Sequence, residues 1–103
     1  MREWAISKTY KIMDYIFAIG VAKDNPHVLG IFASPINTWK MSLIYEFSYK
    51  EESEIDSFAT EVFPTVVRNY IVRKKLSSSC GEKYIDKEIL KHYFYKTLQS
   101  LEI

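Results

Sequence analysis

The chain is short of the residues that most often announce a chemistry. A single cysteine, Cys80, excludes an internal disulfide, and with only two histidines, His27 and His92, it falls short of a zinc ligand set. Three glycines and three prolines in 103 residues leave no glycine-rich phosphate loop, flexible linker or low-complexity tract. Neither sign of charge dominates. The 14 lysines and arginines face 13 acids, a net charge of +1, without the basic excess of a protein held to nucleic acid mainly by phosphates. The most apolar stretch, Tyr15 to Ala22, is far shorter than the ~20 residues that span a bilayer. Met1-Arg2-Glu3-Trp4 does not read as the head of a secretion signal. HExxH, CxxC, GxSxG and EF-hand patterns are missing. The expectation is a cytoplasmic protein without cofactor, metal or membrane segment, and not an enzyme.

What is present is the material for one core. At 48% hydrophobic and 26% charged residues the chain has a globular composition, and its length suits a single domain over residues 1–103. A domain of that size buries roughly two-thirds of the surface its unfolded chain exposes. Breaks at Lys23-Asp24-Asn25-Pro26, Ser34-Pro35-Ile36-Asn37, Lys50 to Ser53 and Ser77 to Gly81 divide it into five segments.

Residues 53–75 carry the clearest signal. Ile55, Phe58, Ala59, Val62, Phe63, Val66, Val67, Tyr70 and Ile71 recur at helical spacing. Ser53 with Asp56 reads as a capping box, and Arg73, Lys74 and Lys75 close the far end as the helix dipole prefers. Pro64 projects opposite that stripe, which predicts a solvent-side kink or a split into two helices. Asp86 to Leu101 reads as a second helix with Asp86 as N-cap and Leu90, Tyr93, Phe94, Thr97, Leu98 and Leu101 as its buried stripe.

The first half alternates instead. Met41 to Tyr49 places Leu43, Tyr45, Phe47 and Tyr49 on one side of a half-buried strand. Tyr15–Ala22 and Val28–Ser34 form a hairpin across a five-residue loop, 23–27, and Gly20 and Gly30 mark bulges or close backbone approach. Trp4 to about Ile12 fits a short helix or a strand. The predicted fold is α+β, an antiparallel meander of three or four strands packed against two C-terminal helices, with a mostly α fold as the alternative.

Four groups of side chains compete for function. Glu46, Glu51, Glu52, Glu54, Asp56 and Glu61 crowd sixteen residues that hold one base, Lys50, and would form an acidic edge for a basic partner. Acids at a helix start also stabilise the helix by roughly 0.3–1 kcal/mol each. Arg68, Arg73, Lys74 and Lys75, followed by Lys83, Lys87 and Lys91, would contact phosphates, although Glu82, Asp86 and Glu88 dilute them. Sixteen aromatic residues are many for one small core, and Trp39 and Tyr95, off the periodic stripes, are the candidate exposed anchors. Cys80 with His92 is the only nucleophile and base pair worth testing.

A motif-poor, near-neutral, aromatic-rich domain resembles the small inhibitors that neutralise another protein, such as immunity proteins of bacterial toxin systems. The resemblance implies a non-catalytic, antitoxin-like protein that occludes a basic, nuclease-type partner through the acidic edge, Trp39 and Tyr95. The alternative is a small nucleic-acid-binding regulator using the basic end of the 53–75 helix. Homo-oligomerisation through an open strand edge is compatible with either.

Overall fold

Alternation of Tyr15, Phe17, Ile19 and Val21 builds the centre of the sheet, and helical periodicity in the second half builds the layer that covers it. The computed structural model describes residues 2–12, 14–38, 40–74 and 86–101. The strands are β1 (Trp4–Ile6), β2 (Tyr10–Ile12), β3 (Tyr15–Ala22), β4 (Asn25–Pro35) and β5 (Ser42–Ser48), all antiparallel. Both β1 and β2 pair with the same side of β3, so the order across the sheet is β1/β2, β3, β4, β5. The helical layer comprises α1 (Glu52–Ser57), a π-helical turn (Phe58–Val62), α2 (Phe63–Lys74) and α3 (Lys87–Gln99). The fold is α+β, and the mostly helical alternative is set aside.

The ambiguous N-terminal segment is one edge strand in two pieces. Trp4 faces Ala22 but Tyr10 faces Phe17, a one-residue slip that falls at Ser7 to Thr9. Ser7 mends the ladder there: its N–H donates to the Ile19 carbonyl at 2.8 Å, and its Oγ accepts from the Ile19 N–H at 3.0 Å.

The hairpin is tighter than expected. Ala22 already pairs with Asn25, leaving only Lys23 and Asp24 in the turn, and the surplus residues are absorbed as an irregularity in β4. His27 therefore lies in a strand rather than the loop, its ring 5.0 Å from that of Tyr49.

The register of β5 corrects the expected alternation. Ile31 faces Tyr45, but Phe32 faces Leu43, so Ile44 is an extra residue in a bulge. Tyr45, Phe47 and Ile44 all turn toward the helices, while Leu43 moves to the other face of the sheet.

On the helix side Tyr15, Phe17, Ile19, Leu29, Ile31 and Ala33 meet Phe58, Ala59, Phe63, Val67, Ile71, Leu90 and Phe94 in one buried core. Phe58 is at its centre, with ring centroids 4.3 Å from Phe47 and 5.5 Å from Phe94. Among the described residues no helix covers the opposite face. There the Trp4 indole lies across Gly20 and Gly30, which pair directly, and meets Phe32 edge-on at 5.4 Å. The two glycines thus mark close approach and carry no bulge.

Two expectations about the long helix change. Its cap is Glu51 with Glu54, two residues before the expected Ser53 and Asp56: the Glu54 carboxylate accepts from the N–H groups of Lys50 at 2.7 Å and Glu51 at 2.8 Å. Pro64 does not split the helix, which runs on through a π turn, and it does not face solvent. The π turn ends with the Phe63 N–H donating to the Phe58 carbonyl, one residue further back than in an α-helix. That added residue rotates the rest of the helix by roughly 100°, carrying Pro64 from the solvent side into full burial. All nine residues of the apolar stripe still meet the core. In α3 the expected cap and stripe stand: Asp86 accepts from the Glu88 N–H at 2.7 Å, and Leu90, Phe94 and Thr97 are buried.

Candidate functional site

Where the bulged end of β5 runs beside α2, the two leave a cavity of about 740 Å³. Helical spacing sorts its helical wall, the end of the π turn and α2, into two stripes. Val62, Val66 and Tyr70 form the apolar one, and Glu61, Thr65, Asn69 and Arg73 the polar one. Ile44 and Tyr45 supply the β5 wall. Tyr70 is anchored edge-on to Tyr15 at 5.4 Å and Phe17 at 5.7 Å, and burial raises its hydroxyl pKa. Tyr45 rests on Phe58 yet keeps 40% of its surface exposed. A carboxylate, a guanidinium, a phenol and an apolar floor thus share one open groove.

The six acids do not form one edge. Glu46 points to the opposite face of the sheet: its strand partner is Gly30, and its Oε2 meets Arg2 Nη1 at 3.2 Å. The same guanidinium reaches Asp24 at 3.4 Å and lies 5.9 Å from the Trp4 ring centre. Glu54 is committed to the helix cap, whose backbone N–H donors hold its pKa below the usual carboxylate value. Asp56 is committed to α3. It accepts from the Tyr95 hydroxyl at 2.7 Å and lies 3.6 Å from Lys91 Nζ, and these two partners, in that order, lower its pKa. Glu51, Glu52 and Glu61 are exposed and have no ion pair among the described residues. Glu61 lines the groove, and Glu52 borders a smaller cavity of about 300 Å³ with Tyr49 and Tyr95.

Tyr95 is a half-buried clip between α1 and α3 rather than a free anchor. Burial first, then the bond to Asp56, pushes its hydroxyl up to about 12. Trp39 lies outside the described residues. Tyr45 is a large ring left partly exposed at the groove. It stands on the helix side of β5, as the alternation placed it, and its exposure comes from β5 being the edge of the sheet.

The basic strip is also dispersed. Arg68 is half-buried with its Nε enclosed, Arg73 stands at the groove, and Lys91 is turned toward Asp56. Lys75, Lys83 and Cys80 lie outside the described residues, and His92 is exposed on α3. No helix among the described residues is long and apolar enough to cross a membrane. No family model, curated protein or solved structure matches this chain.

Proposed function

We propose that this chain is a non-catalytic protein-binding inhibitor of the immunity or antitoxin kind. It docks on a basic, nuclease-type partner through the groove between β5 and α2 and the adjoining helix start. The observation that carries the reading is the join of Tyr45 with Glu61 over the apolar floor of Val62, Val66 and Ile44. An amphipathic ring standing half-free beside a carboxylate and an apolar pocket is the arrangement that anchors protein interfaces. Glu51 and Glu52 extend the same sign of charge along α1 without a cation to neutralise them among the described residues. Against a cationic active site, carboxylates take positions meant for phosphates, and their field speeds encounter.

The experiment is neutralisation of a partner. The partner is isolated from the native host on the tagged chain and shown to arrest growth when expressed alone. Coexpression of the chain restores growth. Reversing Glu51, Glu52 and Glu61 to lysine together abolishes rescue and weakens binding steeply at low salt, while Glu46→Gln, on the far face, leaves both unchanged. Equal rescue by the triple reversal would refute the electrostatic docking.

A further inference from the structure

The two walls of the groove differ in kind, and each asks something of an occupant. β4 takes one edge of β5, and among the described residues no strand takes the other. An edge strand presents a row of outward N–H and C=O groups, and idle edges are usually blunted with proline or lysine. Ser42–Ser48 contains neither, and its one charged residue, Glu46, is held by Arg2. The helical wall, from the π turn through α2, is charged at its two ends only. Glu61 stands near the start and Arg73 near the finish, with Thr65 and Asn69 between them.

We propose that the groove receives an extended segment of the partner, which adds to β5 as a further antiparallel strand. That segment carries a basic side chain at its first inward position, small apolar side chains two and four residues on, and an acidic side chain six residues on. The inference rests on the docking reading above and specifies the chemistry of what docks.

The spacing comes from element geometry. Glu61 and Arg73 are twelve residues apart on a helical run, or about 18 Å at 1.5 Å per residue. A strand advancing about 3.4 Å per residue covers that distance in roughly five residues. The nearest even spacing long enough is six, about 20 Å, which keeps both charged side chains on the groove side and leaves the small excess to their flexible stems. The positions between them fall over Val62, Val66 and Ile44, where a β-branched residue fits an apolar floor. Direction is set as well. Phe58, just before α2, lies on Phe47 near the end of β5. Tyr70 lies on Tyr15, at the end of the sheet where β5 begins, so α2 runs back against the direction of β5. A segment reading basic to acidic from its N-terminus runs with α2 and therefore antiparallel to β5, the more stable pairing. Main-chain bonds supply affinity in such strand addition, and alternate side chains supply selectivity.

The probe is a blocked seven-residue peptide with lysine first, valine third and fifth, glutamate last and threonine between, titrated into the full ¹⁵N-labelled chain. The expected result is amide shifts confined to residues 42–48 and 61–73, with slowed hydrogen exchange at β5. The same peptide N-methylated at every second residue, made in both registers, loses at least about tenfold in affinity in one register, because the outward bonds are gone. Glu61→Gln and Arg73→Gln each weaken the parent peptide by about threefold, the scale of an exposed ion pair. Equal binding by both N-methylated peptides overturns strand addition while leaving the groove as a docking site. Absence of any shift at β5 also overturns it. So does a sedimenting dimer whose β5 amides are protected without peptide, which assigns the edge to a second copy. Failure of the docking reading is separate, since it is scored by growth rescue with the lysine reversal.

Discussion

Replacing Gly30 with alanine tests how tightly the uncovered face of the sheet is packed. A Cβ at Gly30 would stand 2.8 Å from Leu43 Cδ1 and 3.0 Å from both Cη2 and Cζ3 of Trp4. Leu43 is 43% exposed and its methyl can swing away. Trp4 has less freedom, because Phe32 meets its ring edge-on and Arg2 lies over it. Two opposed effects set the sign. Glycine to alanine in a compatible backbone gains about 0.4–1 kcal/mol by restricting the unfolded chain. Forcing a methyl into a filled space costs about 1–3 kcal/mol. The net expectation is a loss of about 1 kcal/mol, or a Tm lower by roughly 4–8 °C for a domain of this size. In a Trp4→Ala background the obstacle is gone, and the same substitution should stabilise by about 0.4–1 kcal/mol. Urea unfolding of the four proteins, tracked by far-UV circular dichroism so that the lost indole does not bias the signal, yields the coupling directly. An equal loss in both backgrounds would refute the packing argument.

Three further outcomes rest on the same geometry. Tyr10→Phe should stabilise by about 1 kcal/mol in the same assay, because the Tyr10 hydroxyl is enclosed without a hydrogen-bond partner among the described residues while its ring stacks on Tyr93 and Phe17. In alkali, Tyr95 contributes stability below its unfolded value near pH 10 and loses it as pH rises through about 12. Tyr95→Phe should therefore flatten the fall of Tm over that window, and Tyr10→Phe should flatten it further, since burial raises that hydroxyl too. In acid the sign is opposite. Glu54 and Asp56 are held below their ordinary values, so their stabilisation is present above about pH 4–5 and disappears as pH falls through their folded values. Glu54→Gln and Asp56→Asn should each lower Tm at neutral pH and remove part of the acid dependence, read by thermal scans from about pH 7 to 2.

Residue pattern was most informative where a period ran long enough to average out local exceptions. The stripe from Ile55 to Ile71 stayed on the core side even though a π turn interrupts it, because burial of that stripe is what the helix is stabilised by. Pro64 was misplaced for the same reason. A 100° wheel assumes an unbroken helix, and one residue added in the π turn rotates the wheel beyond it. Short elements were less legible. Residues 4–12 fit two periods at once, and the partner strand β3, together with Ser7 filling the slip, selected the extended form.

By itself the sequence determined the α+β class, the three long strands, both helices, the Asp86 cap and the apolar residues of the core. These arise from periodicity, turn chemistry and capping, which act between neighbours in the chain and are therefore written in order along it. Only the tertiary structure decided which acids stand together. Glu46 and Asp56 are drawn to Arg2 and Tyr95, and Glu61 is left beside Tyr45 at the groove. Those outcomes depend on pairings up to 44 residues apart, and the apolar floor of the groove depends on a one-residue bulge that turns Ile44 toward the helices and Leu43 away. A shift of one residue reverses the face of every side chain beyond it, and no local composition records that shift.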